Sequence, residues 1–230
     1  MKEFKIRCSA IGQIMGQPRS KADKEAGELS ATAKTYCQTW VKEQIYSRRN
    51  EFTSKFTDKG LIVEDNSIDF IAEQLNLGML LKNEQYFTNE YMTGIPDIIL
   101  HEFIFDAKNS WDCFTFPLFN TELPDKSYYW QLQGYMNLCN KPSAKLIYTL
   151  MDTPIHLIEK EAYWYAKNNG YDDVSEDMYQ EFVDKMTYSN IPDKYRIKIF
   201  DVNRNDTDIE LIKQQVIKCR MYIKSLTNGN

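Results

Sequence analysis

The chain reads as a mixed α/β layer fold. Its first part carries two stretches with helical spacing of apolar residues, its middle a series of short β-like runs, and a helix then separates those runs from a further strand. Helices, antiparallel strands, a crossover helix and another strand, in that order, fit neither a bundle nor a sandwich. At 230 residues, one generous domain over residues 1–230 is the natural partition.

Taken in order, Phe4 to Gly16 mixes apolar and small residues and suits a short strand or a helix start. Gln17 to Ser30 is polar and holds Pro18 and Gly27, which predicts an irregular loop. Ser30 is an N-cap residue for a helix reaching about Arg49, with Tyr36, Trp40, Val41 and Ile45 near one stripe. A second helix is expected from Gly60 to Leu77, its stripe formed by Leu61, Ile68, Ile71, Ala72 and Leu75. Three β-like runs follow, at Gln85–Met92, Ile95–Leu100 and Phe103–Lys108. A helix from Ser127 to Leu138 stops before Pro142, and Ala144–Met151 alternates as a strand. The last third predicts helices at 156–168 and 174–187, a strand from Arg196 to Val202, and a helix at 207–225. Thr207 and Glu210 give that last helix a capping-box spacing.

Composition narrows the function classes. No apolar run approaches the roughly 18 residues of a membrane helix, and the opening Met1-Lys2-Glu3-Phe4-Lys5 lacks a secretory apolar stretch, so the expectation is a cytoplasmic protein without a membrane partner. Cys8, Cys37, Cys113, Cys139 and Cys219 are scattered and odd in number, which predicts free thiols rather than a disulfide framework or zinc site. A formal charge of −5 runs against a basic nucleic-acid-binding surface. Arg48, Arg49, Lys55 and Lys59 nevertheless form a local basic stretch, which reads either as a groove or as a solvated face. His101 and His156 lack partners at metal-site spacing and read as surface or turn residues. Tyr128, Tyr129 and Trp130 read as core aromatics ahead of a stacking platform.

The chemistry concentrates in Gly94-Ile95-Pro96-Asp97 and, after eight residues, Asp106-Ala107-Lys108. A turn at His101–Glu102 would set residue 97 opposite residue 106. Side chains two apart on a strand share a face, so Lys108 would stand beside Asp106 while Phe105 and Ala107 turn away. Two carboxylates and an ammonium would then meet at the end of an apolar strand pair, where isolated charges are costly. Hard oxygen ligands hold Mg²⁺ and leave it room for water and phosphate oxygens, and a lysine can orient the water or stabilise charge on phosphorus. A structural ion pair at a strand end is the plain alternative, since Asp and Lys two apart are common. Upstream, Glu64 on the second helix offers a third carboxylate. Downstream, Gln131 and Tyr135 share a helix face at four-residue spacing, either to meet a ligand or as a polar rim.

In that order, Glu64, Pro96-Asp97, Asp106-Ala107-Lys108 and Gln131-Leu-Gln-Gly-Tyr135 resemble the PD-(D/E)xK nuclease superfamily, in the branch of lambda exonuclease, YqaJ-type viral recombinases and RecB-like nucleases. Arg7-Cys8-Ser9-Ala10-Ile11-Gly12 is similar to the Ser-containing segment that opens phage exonucleases of this kind. The resemblance spans about residues 5 to 151 and implies a restriction-endonuclease-like core, a central mixed β-sheet flanked by α-helices. It implies one or two Mg²⁺ or Mn²⁺ ions on Asp97, Asp106 and the Ala107 carbonyl, with Glu64 binding directly or through water and Lys108 acting on the nucleophilic water. Gln131 and Tyr135 would lie beside the metal against DNA, and Ser9 and Arg7 would hold a terminal 5′-phosphate. Residues 17–57 would be an insertion or DNA-binding helical segment. Residues 152–230 would be a C-terminal helical extension without an assigned role.

RecB-like relatives with an iron–sulfur cluster group three cysteines near the C-terminus, where this chain has only Cys219, so no such cluster is expected. The activity implied is resection of linear double-stranded DNA, 5′ to 3′, in phage recombination. A ring-shaped homo-oligomer and a single-strand annealing protein are the partners implied, with the host cytoplasm as location. The alternatives are an endonuclease of restriction, repair or junction-resolving type and a catalytically inactive DNA-binding protein.

Overall fold

Strand alternation builds this molecule from one four-stranded sheet with a helical layer on each face. The computed structural model describes residues 2–50 and 55–228. The chain begins with β1 (Ile6–Arg7), a 3₁₀ turn (Cys8–Ala10), α1 (Ile11–Ile14), α2 (Lys21–Glu25) and α3 (Ala31–Tyr46). It continues through α4 (Lys55–Ile62), α5 (Glu64–Gln74), β2 (Phe87–Thr88), β3 (Met92–Gly94), β4 (Ile98–Ile99) and β5 (Phe103–Asn109). After α6 (Lys126–Cys139) and β6 (Ser143–Thr149) come α7 (Ile155–Asn168), α8 (Glu176–Met186), β7 (Ile197–Asn203) and α9 (Asp206–Asn228). None of the described helices is long and apolar enough to cross a membrane.

The main sheet has the order β4-β5-β6-β7. β5 and β6 are parallel and in register from Phe103↔Ser143 to Asn109↔Thr149, joined through α6, while β4 and β7 are antiparallel to their neighbours. This is the mixed sheet flanked by helices that the element order predicts. A smaller sheet, β1-β3-β2, pairs Arg7 with Thr93 and Thr88 with Thr93.

Alternation divides the apolar residues between two cores. Ile104, Ala144, Leu146, Phe200 and Val202 join Ile6, Ile11, Met136 and Val216 under α1, α3, α6 and α9. Phe105, Ile147 and Ile98 pack on the opposite face against Ile68 and Ile71 of α5. The segment after residue 152 is built into this framework: β7 completes the sheet and α9 lies on the larger core.

Several expected boundaries move for local reasons. α3 is capped as predicted, the Ser30 hydroxyl accepting from the Ala33 amide at 3.2 Å, but it stops at Ser47, which adopts a left-handed φ of 51°. Its buried stripe is Ala33, Tyr36, Cys37 and Val41, and Ile45 is exposed. Within the expected loop 17–30, Ser20 caps the short helix α2. The expected Gly60–Leu77 helix is two helices meeting at Val63. Leu61, ahead of the break, turns outward, and past it the Ser67 hydroxyl donates to the Glu64 carbonyl at 2.8 Å. The expected Gln85–Met92 strand folds into a hairpin because the Asn89 side chain accepts from the amides of Tyr91 and Met92. In the last helix the cap is Asn205, which accepts from the Asp208 amide, rather than Thr207.

The predicted hairpin turn is present: Ile98 pairs with Phe105 and Ile99 with Ile104, and the Leu100 amide donates to the Phe103 carbonyl at 2.8 Å. Two-residue turns usually rely on Asn-Gly, yet neither His101 nor Glu102 has positive φ. Their carbonyls are held instead by Lys141, at 3.0 Å from His101, and by Ser143.

The basic stretch read from the sequence divides. Lys55 pairs with Glu161, and Lys59 is only 1% exposed, its ammonium donating to the Trp111 carbonyl at 2.8 Å. Burial lowers the Lys59 pKa to about 8, although Asp112 and Asp152 pull it upward. Below pH 8 the folded protein bears the cost of a buried charge. Between about 8 and the ordinary value of 10.5 the unfolded chain binds more protons, so stability rises with pH, by on the order of 3 kcal/mol in all. In urea unfolding, the difference in stability between wild type and Lys59→Met should move in favour of the wild type by about this amount from pH 7 to 11.

α6 meets the 3₁₀ turn closely enough to require a glycine. A Cβ at Gly134 would stand 2.5 Å from Ile11 Cδ1 and 2.8 Å from Cys8 Sγ. Gly134→Ala should therefore destabilise by about 1–3 kcal/mol in urea melts, despite the better helix propensity of alanine.

Candidate active site

The site forms where β4 ends and leaves one edge of β5 open. Leu100 reaches the Phe103 carbonyl, so the backbone groups of odd-numbered residues in β5 point toward β4. β4 is only Ile98–Ile99, so Ala107 lies beyond it. The Asp97 side chain takes the place of the missing strand: its Oδ2 accepts the Ala107 amide at 2.9 Å. The Ala107 carbonyl, by the same alternation, also faces this open edge. Asn83 holds the approach, its amide donating to the Asp97 carbonyl at 2.7 Å and its side chain to the Pro96 carbonyl at 2.9 Å.

The even-numbered side chains face α6. Asp106 is 1% exposed. Its Oδ1 accepts from Gln131 Nε2 at 2.8 Å, and its Oδ2 faces the Lys108 ammonium and accepts no other hydrogen bond among the described residues. Gln131 also donates to the Tyr135 hydroxyl at 3.3 Å, so one amide ties phenol and carboxylate together. α6 is placed to do this by its Asp125 cap, whose Oδ1 accepts the Ser127 amide at 2.7 Å. Lys108 lies 5.3 Å from the centre of the Tyr128 ring. Tyr128, Tyr129 and Trp130 themselves pack against the larger core.

The electrostatics follow from crowding two carboxylates into an apolar setting. Burial and then the charge of Asp106 push the Asp97 carboxyl up to about 7, against the pull of Lys108 and the Ala107 amide. Burial works against the Lys108 ammonium, but Asp106 and Asp97 outweigh it and raise its pKa. Burial, with Asp106 next, raises the Tyr135 phenol.

Asp97, Asp106, Lys108, Gln131 and Tyr135 are thus in one connected group. Glu64, the first residue of α5, reaches it less directly: its carboxylate pairs with Lys82 and adds to the negative field on Asp97. Lys82 escaped sequence reasoning because it lies in a loop without periodicity. Its ammonium answers to Glu64, Asp97 and Asp65 together. Ser9 and Arg7 stand apart. Ser9 is exposed in the 3₁₀ turn, and Arg7 contacts Tyr36 and lines a separate groove.

Among the described residues no three His, Cys, Asp or Glu side chains form a preformed metal cage. Lysines engage the carboxylates: Lys82 holds Glu64, and Lys108 holds Asp106. The donors nevertheless suit a hard divalent cation. Asp97 and Asp106 repel one another, Asp106 Oδ2 is buried with only an ammonium before it, and the Ala107 carbonyl faces the same edge.

Comparison with known proteins covers nearly the whole chain. A phage-related exonuclease from Haemophilus somnus 129PT is 31% identical and aligns with a TM-score of 0.81, over 99% of this chain and 97% of that one. The alkaline exonuclease LHK-Exo from Laribacter hongkongensis shares the fold at a TM-score of 0.63 and 12% identity, over 98% and 92% of the two chains. The same enzyme in complex with dAMP also gives 0.63, at 13% identity. No family model matches the chain, and no curated protein does. Identity at this level along nearly the full length of both chains, on the same fold, means that this protein belongs to the phage-related exonucleases, within the PD-(D/E)xK branch.

Proposed function

We propose that this protein is a divalent-metal-dependent deoxyribonuclease that degrades linear double-stranded DNA from its ends, in the 5′-to-3′ direction, in phage recombination. The observation carrying this reading is the open edge of β5, where Asp97, Asp106 and the Ala107 carbonyl meet with Lys108 beside them. Family membership supports hydrolysis from an end rather than internal cutting. The deoxynucleotide dAMP held by the Laribacter enzyme belongs to the product class of such a reaction.

Asp97, Asp106 and the Ala107 carbonyl would hold one or two Mg²⁺ or Mn²⁺ ions, with Glu64 joining on release from Lys82. When bound, the metal supplies acidified water and neutralises charge on the scissile phosphate. Lys108, kept protonated by the two aspartates, orients the attacking water and offers a hydrogen bond to charge developing on phosphate oxygen. Gln131 fixes the Asp106 carboxylate and, with Tyr135, braces it against the DNA strand. Ser9 and Arg7, outside the cluster, would meet a terminal 5′-phosphate. A ring of identical subunits enclosing DNA would let an acidic chain stay on its substrate with modest affinity, and a single-strand annealing protein would receive the strand left behind.

Linear DNA carrying 5′-phosphates, incubated with Mg²⁺ beside the same plasmid as a closed circle, should be lost alone. EDTA should abolish the loss, and Lys108→Ala should slow it by about 10²–10³-fold, the range seen when a single transition-state donor is removed. Equal cutting of the circle would replace the exonuclease by an endonuclease, and cutting of neither would leave a DNA-binding protein. Metal binding has its own readout. Mn²⁺ should raise the melting temperature of the wild type, and this rise should be absent in Asp106→Asn.

A further inference from the structure

The strongest feature outside the carboxylate cluster is a groove between α3 and the outer face of the small sheet, with a cavity of about 1090 Å³. We propose that this groove binds the sugar–phosphate backbone of a single DNA strand next to the cutting site. The proposal rests on the nuclease reading for the identity of the strand.

Charge comes first. Lys2, Lys5, Arg7, Arg48 and Arg49 line the groove, against the carboxylates Glu3 and Glu43. Both carboxylates are engaged: Glu3 pairs with Arg220 at 3.0 Å, and Glu43 accepts the Asn50 amide at 3.1 Å. Among the described residues no carboxylate pairs with Lys2, Arg48 or Arg49. A net positive groove on a chain of formal charge −5 is a local arrangement, and phosphate is the ligand it suits. The left-handed turn at Ser47 carries the chain out of α3 and sets Arg48 and Arg49 on the rim.

Shape and lining then select a single strand. The cavity volume of about 1090 Å³ is on the scale of a few nucleotides. Trp40 and Tyr36 form a wall held edge-on against Phe4, with ring centres 5.2 and 6.3 Å away. Tyr86 also lines the groove and is 59% exposed. Cations along a groove with aromatic faces form the usual platform for unpaired nucleic acid.

Position connects the groove to the cluster. At its inner end Arg7 pairs in register with Thr93. The next residue, Gly94, lies so close to Tyr135 that a Cβ there would be 2.6 Å from the ring. Tyr135 in turn shares Gln131 with Asp106. Through Arg7, this chain of contacts joins the groove to the carboxylate cluster.

The test is fluorescence anisotropy with labelled oligo-dT of twelve nucleotides in EDTA, where nothing is cut. Arg48→Glu/Arg49→Glu should weaken binding at least tenfold and flatten the salt dependence by about 1–2 in slope. Tyr86→Ala should weaken it without changing the slope. A blunt DNA hairpin should lose less affinity than oligo-dT in the double variant. Unchanged affinity and slope in the double variant, with unchanged circular dichroism, would overturn the proposal. So would equal losses for hairpin and oligo-dT, or poly-glutamate competing as well as oligo-dT. Wild-type protein that binds oligo-dT through these residues and never cuts DNA in Mg²⁺ would retract the nuclease reading alone. Normal cutting with binding unaffected by the double variant would retract the groove alone.

Discussion

The arrangement depends on one mismatch of lengths: β5 has seven residues and β4 only two. Beyond Phe105 the backbone of β5 has no strand to pair with on that side. A buried amide without a partner is expensive, and the Asp97 carboxylate meets that demand by accepting from Ala107. The same hydrogen bond draws a negative charge toward Asp106 on a sheet buried on both faces. Lys108 answers the resulting repulsion. The cluster is therefore a consequence of an interrupted ladder as much as of its charged residues, and Pro96, directly before Asp97, suits that interruption.

Holding the cluster requires α6 to stay at a fixed distance from the sheet. Small residues set it. Gly134 accepts the 3₁₀ turn against the helix, Gly12 lies where a Cβ would be 2.7 Å from Ser127 Cβ, and Gly94 admits the Tyr135 ring. From that position Gln131 can donate to Asp106 and Tyr135 together. Gln133, two residues on, fixes the far side of the helix, donating to the Asn203 carbonyl and accepting the Asn205 amide. The two glutamines of Gln131-Leu-Gln thus divide the work between site and scaffold.

Much of this was legible in the sequence because strand periodicity is strict. Once a turn is set at His101–Glu102, the meeting of Asp97 with Asp106 and the shared face of Asp106 and Lys108 follow from counting by two. Helix positions were legible where caps are local, as at Ser30. Less legible were features set by distant contacts. The Lys141 and Ser143 contacts that secure the turn lie about forty residues from it. Lys59 gives no sign in the sequence that it is buried beneath Trp111 while Arg48 and Arg49 stay exposed. The break at Val63 falls within a run whose hydrophobic spacing continues across it, so the spacing is blind to it.

The placement of α9 bears on how the chain acquires this fold. Its Gln215 donates to the Ile14 carbonyl, Arg220 to the Phe4 carbonyl, and Gln38 of α3 donates to Tyr222. Cys219 and Ile223 share the main core with Cys37 and Val41. α1 and α3 are thus sealed by a helix far along the chain, Gln215 reaching Ile14 across 201 residues. On the ribosome α1 and α3 must wait with their apolar faces open until α9 has emerged, which makes closure of the core a long-range event exposed to aggregation.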